Sequence, residues 1–164
     1  VLAPQFSTAR MVQDYTNKFY MQASDAMRKI QADGVAGAQD VLAYRGRVQA
    51  AWPGVKVVKT SHSGSSINPL GTSLTVTADV ELGSLSPDDV VVELLVGQAG
   101  QNRDLVDTEV SHMTYQEALD ASQHRFTGTL ENSEPGHRGY TVRVVPNHPL
   151  LNWNHELPLI AWDG

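Results

Sequence analysis

Apolar and polar residues alternate strictly from Leu74 to Leu82. Leu74, Val76, Ala78, Val80 and Leu82 fall on one side, and Thr75, Thr77, Asp79 and Glu81 on the other. Period two marks a strand with one buried and one wet face. The run Val90 to Val96 is nearly all apolar, as expected of a strand near the centre of a sandwich. Phe126 to Leu130 and Tyr140 to Val144 alternate again, and Val55 to Thr60, Leu105 to Met113 and Leu157 to Trp162 complete seven candidate strands. Pro158 cannot donate to a ladder, which demotes the last of these to an edge. Turn signals separate the runs: Asn68-Pro69, Ser86-Pro87-Asp88-Asp89, Gly97 to Asn102, Ser133 to Gly136 and Pro146 to Pro149. Thr114 to Gln123 reads as a short helical turn or a long connection. Residues 53–164 are therefore expected to form a mainly β domain, an immunoglobulin-like antiparallel β-sandwich of about seven strands, without the cysteine pair of antibody domains.

The period is different before Pro53. After the candidate N-caps Ser7 and Thr8, Met11, Val12, Tyr15, Phe19, Ala23, Ala26, Met27 and Ile30 recur at three- and four-residue steps. This is one helical stripe of about five turns. Gly34 suits the residue after a helix end. A second helix fits Ala38 to Ala51, with Val41, Tyr44, Val48 and Trp52 on one side and Pro53-Gly54 as its stop. Residues 1–52 thus read as an α-helical hairpin or helical tail ahead of the sandwich. Its contact face of Met11, Tyr15, Phe19, Met27 and Ile30 must cover another domain, the sandwich or a second copy, which predicts a tendency to self-associate.

The chain has 164 residues, enough for one domain, or one domain with an appendage. Its net charge of −6 is unevenly divided. Residues 1–52 carry six basic against four acidic side chains, and residues 53–164 six against fourteen. A duplex-DNA partner calls for a basic footprint, which this acidic chain lacks. No cysteine is present, which excludes disulfide scaffolds and thiol chemistry. No apolar run is long enough to span a membrane, and Val1-Leu2-Ala3-Pro4 is not the start of a signal peptide. With no initial methionine, the chain is expected to have been either processed or cut from something larger.

Candidate chemistry is sparse. His62, His112, His124, His137, His148 and His155 are scattered, and no pair has the i, i+4 spacing of a metallopeptidase helix. His148 and His155 flank one loop, where bonds to backbone or water are the expected role. Ser61 to Ser66 lacks the nucleophile-elbow pattern and reads as a connector. Asp88 and Asp89 look like turn residues, and Asp104, Asp107 and Glu109 like a strand's solvated face. No calcium-loop pattern occurs. Gly136-His137-Arg138-Gly139 opens into a strand, so it lacks the helix N-terminus that a phosphate loop uses. Trp52 and Trp162 are expected in the core. Trp153, between two asparagines, is the exposed candidate for stacking on a sugar. No catalytic, cofactor-binding or metal-binding constellation emerges.

Two segments carry a resemblance. Phe6-Ser7-Thr8-Ala9-Arg10-Met11-Val12-Gln13-Asp14-Tyr15, continuing to Phe19-Tyr20-Met21, resembles the late catalytic-domain helix of bacterial α-glucan (glycogen) phosphorylases. Gly139-Tyr140-Thr141-Val142-Arg143-Val144-Val145-Pro146-Asn147-His148-Pro149-Leu150-Leu151 is similar to their C-terminal signature, chiefly of the actinobacterial type. Ala51-Trp52-Pro53 and Leu82 to Val90 fit between them; Gly97 to Gly136 matches only loosely. The resemblance implies a parent enzyme that cleaves a terminal α-1,4-linked glucose with phosphate and releases glucose 1-phosphate. It also implies pyridoxal phosphate held on a lysine upstream, with a cytoplasmic location. None of Lys18, Lys29, Lys56 and Lys59 maps onto that lysine, so no cofactor is expected here. The chain itself is expected to be a non-catalytic C-terminal module. Its partners would be the rest of the parent phosphorylase, a second copy or an α-glucan, without nucleic acid or membrane.

Overall fold

The computed structural model describes residues 35–63, 71–100, 104–131, 137–151 and 156–164. Among these residues one helix, α1 (Val35–Ala51), precedes eight strands: β1 (Lys56–His62), β2 (Ser73–Glu81), β3 (Val90–Ala99), β4 (Leu105–His112), β5 (Thr114–Ala118), β6 (Gln123–Glu131), β7 (Arg138–Pro146) and β8 (Ala161–Trp162). They form two antiparallel four-stranded sheets. The first has the order β1-β2-β6-β5 and the second β4-β3-β7-β8. The first helix of the expected hairpin lies outside the described residues.

The alternation in β2 does what its pattern predicts. Val76, Ala78, Val80 and the following Leu82 are fully buried. They meet Val92, Leu94 and Val96 of β3, Val142 and Val144 of β7, and Phe126 and Leu130 of β6 in one core. Each such side chain contributes about 1.5–3 kcal/mol through burial. The sheets approach closely at Gly128, where a Cβ would lie 3.2 Å from Leu94 Cδ2 and 3.1 Å from Met113 Cγ. The open edges are joined by Thr60 Oγ1, which donates to Asp163 Oδ2 at 2.8 Å, and by His62 Nδ1 against the Tyr140 hydroxyl at 3.1 Å.

α1 closes one end of the sandwich. Tyr44, Val48 and Trp52 lie one turn apart, are buried, and join the same core beside Val55, Leu85 and Leu157. This is the face that the sequence assigned. A 3-10 turn, Trp52–Gly54, then carries the chain into β1.

Three expectations are corrected. Thr114 to Gln123 is neither helical nor a long connection. It holds β5, which pairs with β6, and a tight turn in which Asp120 accepts from the Ser122 and Gln123 amides. The chain changes sheets at Met113, whose side chain is buried and whose N–H donates to Val92 O. Alternation continues through that crossing, so periodicity alone gives no break. Trp162 is not core but 48% exposed. It pairs with Arg143 on the outward side of the edge strand β8, opposite in sense to the inward Ala161. Asp89 lies in a turn, as expected, but is not the surface residue a turn position suggests: it is buried, for the reasons that follow.

Candidate functional site

A cluster of polar side chains gathers where α1 meets the sandwich. Ser86 precedes a 3-10 turn, Pro87–Asp89, whose proline occupies the first turn, where a missing N–H is harmless. The Asp89 carboxylate reaches back to the Ser86 amide and hydroxyl, each at 2.9 Å. This reciprocal arrangement is that of a capping box. It also fixes the carboxylate for a partner from α1. Arg47 donates to both oxygens, at 2.6 and 2.7 Å, as a bidentate fork.

The backbone of Asp89 is used as fully as its side chain. Its carbonyl accepts from the Tyr44 hydroxyl at 2.9 Å and from the Asn147 amide at 2.8 Å. Asn147 Nδ2 also donates to Asp88 O. One residue therefore ties together α1, the β2–β3 connection and the end of β7. The neighbouring His148 ring packs on Tyr44 at 4.6 Å between centroids. Its Nδ1 accepts from the Leu150 amide at 3.2 Å, leaving Nε2 to face Asp40 at 3.3 Å. Arg45 pairs with Glu156 at 3.5 Å.

The environment shifts three of these groups, Arg47 being raised by its hydrogen bonds to Asp89. The Arg47 hydrogen bonds hold the Asp89 carboxyl down at about 2; burial opposes them and the Ser86 donors assist. Burial pushes the Tyr44 hydroxyl up to about 12. Arg47 and Asp89 satisfy one another, and Tyr44 donates to a backbone carbonyl. This is the chemistry of a fastener: it fixes one helix against one sandwich and holds no nucleophile beside a base.

The other candidates remain apart. His62 faces Tyr140, His112 lies 3.9 Å from Glu93, and His137 is exposed. Asp104, Asp107 and Glu109 are exposed along β4. An open groove beside the crossing from β4 to β5 is lined by Thr75, His112, Thr114, Gln116, Thr127 and Thr129, without a carboxylate. Among the described residues, no group of three or more His, Asp or Glu could hold a metal ion, and no helix is long and apolar enough to cross a membrane. Trp153, His155 and the stripe Met11, Tyr15, Phe19, Met27 and Ile30 lie outside the described residues. Sequence reasoning missed Tyr44, Arg47 and Asp89 as a unit. The Ser86-Pro87-Asp88-Asp89 capping pattern was a readable signal, but its partner Arg47 is 42 residues away.

Two of the segments that carried the resemblance, Leu82 to Val90 and Gly139 to Leu151, are thus the two that meet at Asp89 and Asn147. Residues 52–164 match the family described as glycogen phosphorylase C-terminal domain. The chain belongs to that family. It is 33% identical over 161 residues to a glycogen phosphorylase of Mycobacterium bovis and equally to one of Mycobacterium tuberculosis, covering 98% of this chain and 19% of each relative. It is 28% identical over 167 residues to a maltodextrin phosphorylase of Thermococcus litoralis, again covering 19% of that protein. The chain therefore spans about a fifth of the length of the curated relatives it matches. A solved structure, the Pseudomonas fluorescens alkylpurine DNA glycosylase AlkC bound to DNA, is similar at a TM-score of 0.37 and 15% identity. It covers 56% of this chain and 27% of that one, a likeness too slight to carry argument. Within a glycogen phosphorylase C-terminal domain, then, the Asp89 junction is where the preceding helix is locked to the β-sandwich.

Proposed function

We propose that the chain is the non-catalytic C-terminal domain of an α-glucan phosphorylase, and that it acts as an interdomain or subunit contact module. The parent reaction would be release of glucose 1-phosphate from α-1,4-glucan with phosphate, in the cytoplasm. The observation that carries this reading is the Asp89 node, at which side chain and backbone together fix α1 to the sandwich. A helix locked in this way transmits the position of whatever precedes it. The strand order β1-β2-β6-β5 facing β4-β3-β7-β8 is read as an immunoglobulin-like plan with one added edge strand. Such a plan supplies a rigid framework and no chemistry of its own.

Pyridoxal phosphate would belong to the upstream part of the parent. A Schiff-base lysine works in a desolvated pocket. Lys56 and Lys59 are exposed on the edge strand β1, so the described lysines do not fit that group.

The test uses the whole parent enzyme carrying Asp89→Ala. Contact through this junction predicts earlier thermal dissociation or unfolding, with kcat/KM per folded site unchanged. A large fall in kcat with unaltered stability would instead place Asp89 in catalysis and overturn the reading. So would formation of glucose 1-phosphate by the 164-residue chain alone.

A further inference from the structure

The two sheets differ in what they leave open. On the outward side of the second sheet, Leu95 and Val145 alternate with the core residues Leu94 and Val144 and point away from them. They are nevertheless 7% and 0% exposed, so the centre of that face is closed. The first sheet leaves a backbone edge open instead. β6 pairs with β2 along its whole length, from Gln123 to Glu131, but with β5 only from His124 to Thr127. β5 reaches no further because the chain enters it from the second sheet through Met113, whose N–H donates to Val92 O. Gly128 to Glu131 thus have no strand beside them on that side, over about 13 Å.

The hydrogen bonds of β2 decide which groups this uncovers. Thr75 uses both of its backbone groups on the β1 side. Its N–H donates to Ser63 Oγ at 3.1 Å, and its C=O accepts from the Ser63 N–H at 2.8 Å. Directly opposite residues of an antiparallel pair exchange both bonds or neither. Thr129, the partner of Thr75, therefore directs its N–H and C=O away from β2. Glu131, two residues on, does the same, and its C=O accepts from Arg138 at 3.4 Å. Among the described residues nothing pairs with the two Thr129 groups, and Thr129 is exposed. Two hollows of about 320 and 390 Å³ lie along this edge and meet at Ser111 and Thr129. The first is lined by the core residues Val96 and Leu130 and by the exposed Glu109 and Glu131.

We propose that this edge receives an extended segment of another polypeptide as an added strand, in which apolar and basic residues alternate. Main-chain bonds to Thr129 supply the pairing. The pleat supplies the alternation. The guest residue opposite Thr129 shares its outward face, the face of Glu131, and the residues on either side of it turn inward towards Val96 and Leu130. The charge follows from Glu131 and from Glu109, whose side chain stays 80% exposed although Arg138 lies 3.7 Å away. β4 is a poorer template. Asp107 interrupts it at a φ of 51°, beside a register shift, and an irregular acidic edge resists pairing. A sugar is a poorer guest, because no aromatic ring lines either hollow to stack on a pyranose.

The probe is a capped heptapeptide of alternating lysine and valine, titrated into the isotope-labelled 164-residue chain. Amide resonances of Thr129, Glu131 and Glu109 to His112 are expected to shift saturably, and hydrogen exchange at the Thr129 amide to slow. The guest residue opposite Thr129 is a lysine that exchanges both bonds. Methylating the lysine amides should therefore weaken binding by at least about tenfold, while methylating the valine amides should leave it unchanged. Glu109→Lys combined with Glu131→Lys should also weaken binding, and Thr129→Val, which keeps the backbone, should not. Absence of any shift at millimolar peptide, or equal binding by the two methylated peptides, would overturn the proposal. Shifts of the same amides with maltohexaose and none with the peptide would overturn it and make the groove a sugar site. Their shift on concentrating the chain alone, with none from the peptide, would overturn it and assign the edge to a second copy.

Discussion

The outward faces of the two sheets share a fold and differ in nearly everything else. On the first sheet, Thr75, Thr77, Asp79 and Glu81 of β2 stand beside Arg125, Thr127, Thr129 and Glu131 of β6. Their one strong ion pair, Arg125 with Asp79 at 2.7 Å, is joined by Glu117 at 3.1 Å. On the second sheet the corresponding positions are Val91, Leu95 and Val145 around Glu93 and Arg143. Side-chain exposure in the two pairs differs accordingly: 36% and 16% for Arg125 and Asp79, against 16% and 6% for Arg143 and Glu93. A two-layer sandwich needs only its inner faces to be apolar. An apolar outer face is therefore more than the sandwich itself requires, and it distinguishes one side of this domain from the other.

Substitution tests that contrast most sharply. Val145→Asp places a charge among buried valines and should lower the free energy of unfolding in urea by at least about 3 kcal/mol. Thr127→Asp on the first sheet should change it by no more than about 0.5 kcal/mol. Equal losses would erase the distinction. The ion pairs come next. Arg143→Ala leaves Glu93 buried without its closest partner and should cost about 3 kcal/mol, while Arg125→Ala, at a solvated pair, should cost far less.

The junction lies between these extremes and has its own pH signature. The Asp89 carboxyl is held at about 2 in the folded chain, below the 3.8 of a free aspartate. A depressed folded value means that its stabilisation is complete above about pH 4 and is lost as pH falls towards 2. That contribution is about 2 kcal/mol. Arg47→Ala should flatten this part of the acid limb in urea titrations run at successive pH values. An unchanged limb would detach Asp89 from acid stability. The smallest effect is expected from Thr129→Val, within about 0.5 kcal/mol in the same assay.

Much of this was legible in the sequence, and the rest failed for physical reasons. Period two placed β2, and period 3.6 gave α1 its Tyr44, Val48 and Trp52 face, because each pattern reports one buried side of one element. The run Val90 to Val96 carried more than the core alone requires: it is apolar on both faces because β3 has burial on both. Residues whose role depends on register or on distant partners were misplaced. Trp162 took its outward position from pairing with Arg143, and Asp89 owes its burial to Arg47 and Tyr44 from α1. Met113 could turn the chain from one sheet to the other because alternation does not record which sheet a strand joins.

The central claim is that the second sheet's outward face is interior in character. Hydroxyl-radical labelling of the intact chain, read residue by residue by mass spectrometry, tests it most directly. Val58, 46% exposed on β1, supplies the rate for an open valine. Leu95 and Val145 should be strongly protected relative to Val58; oxidation of both at its rate would contradict the account.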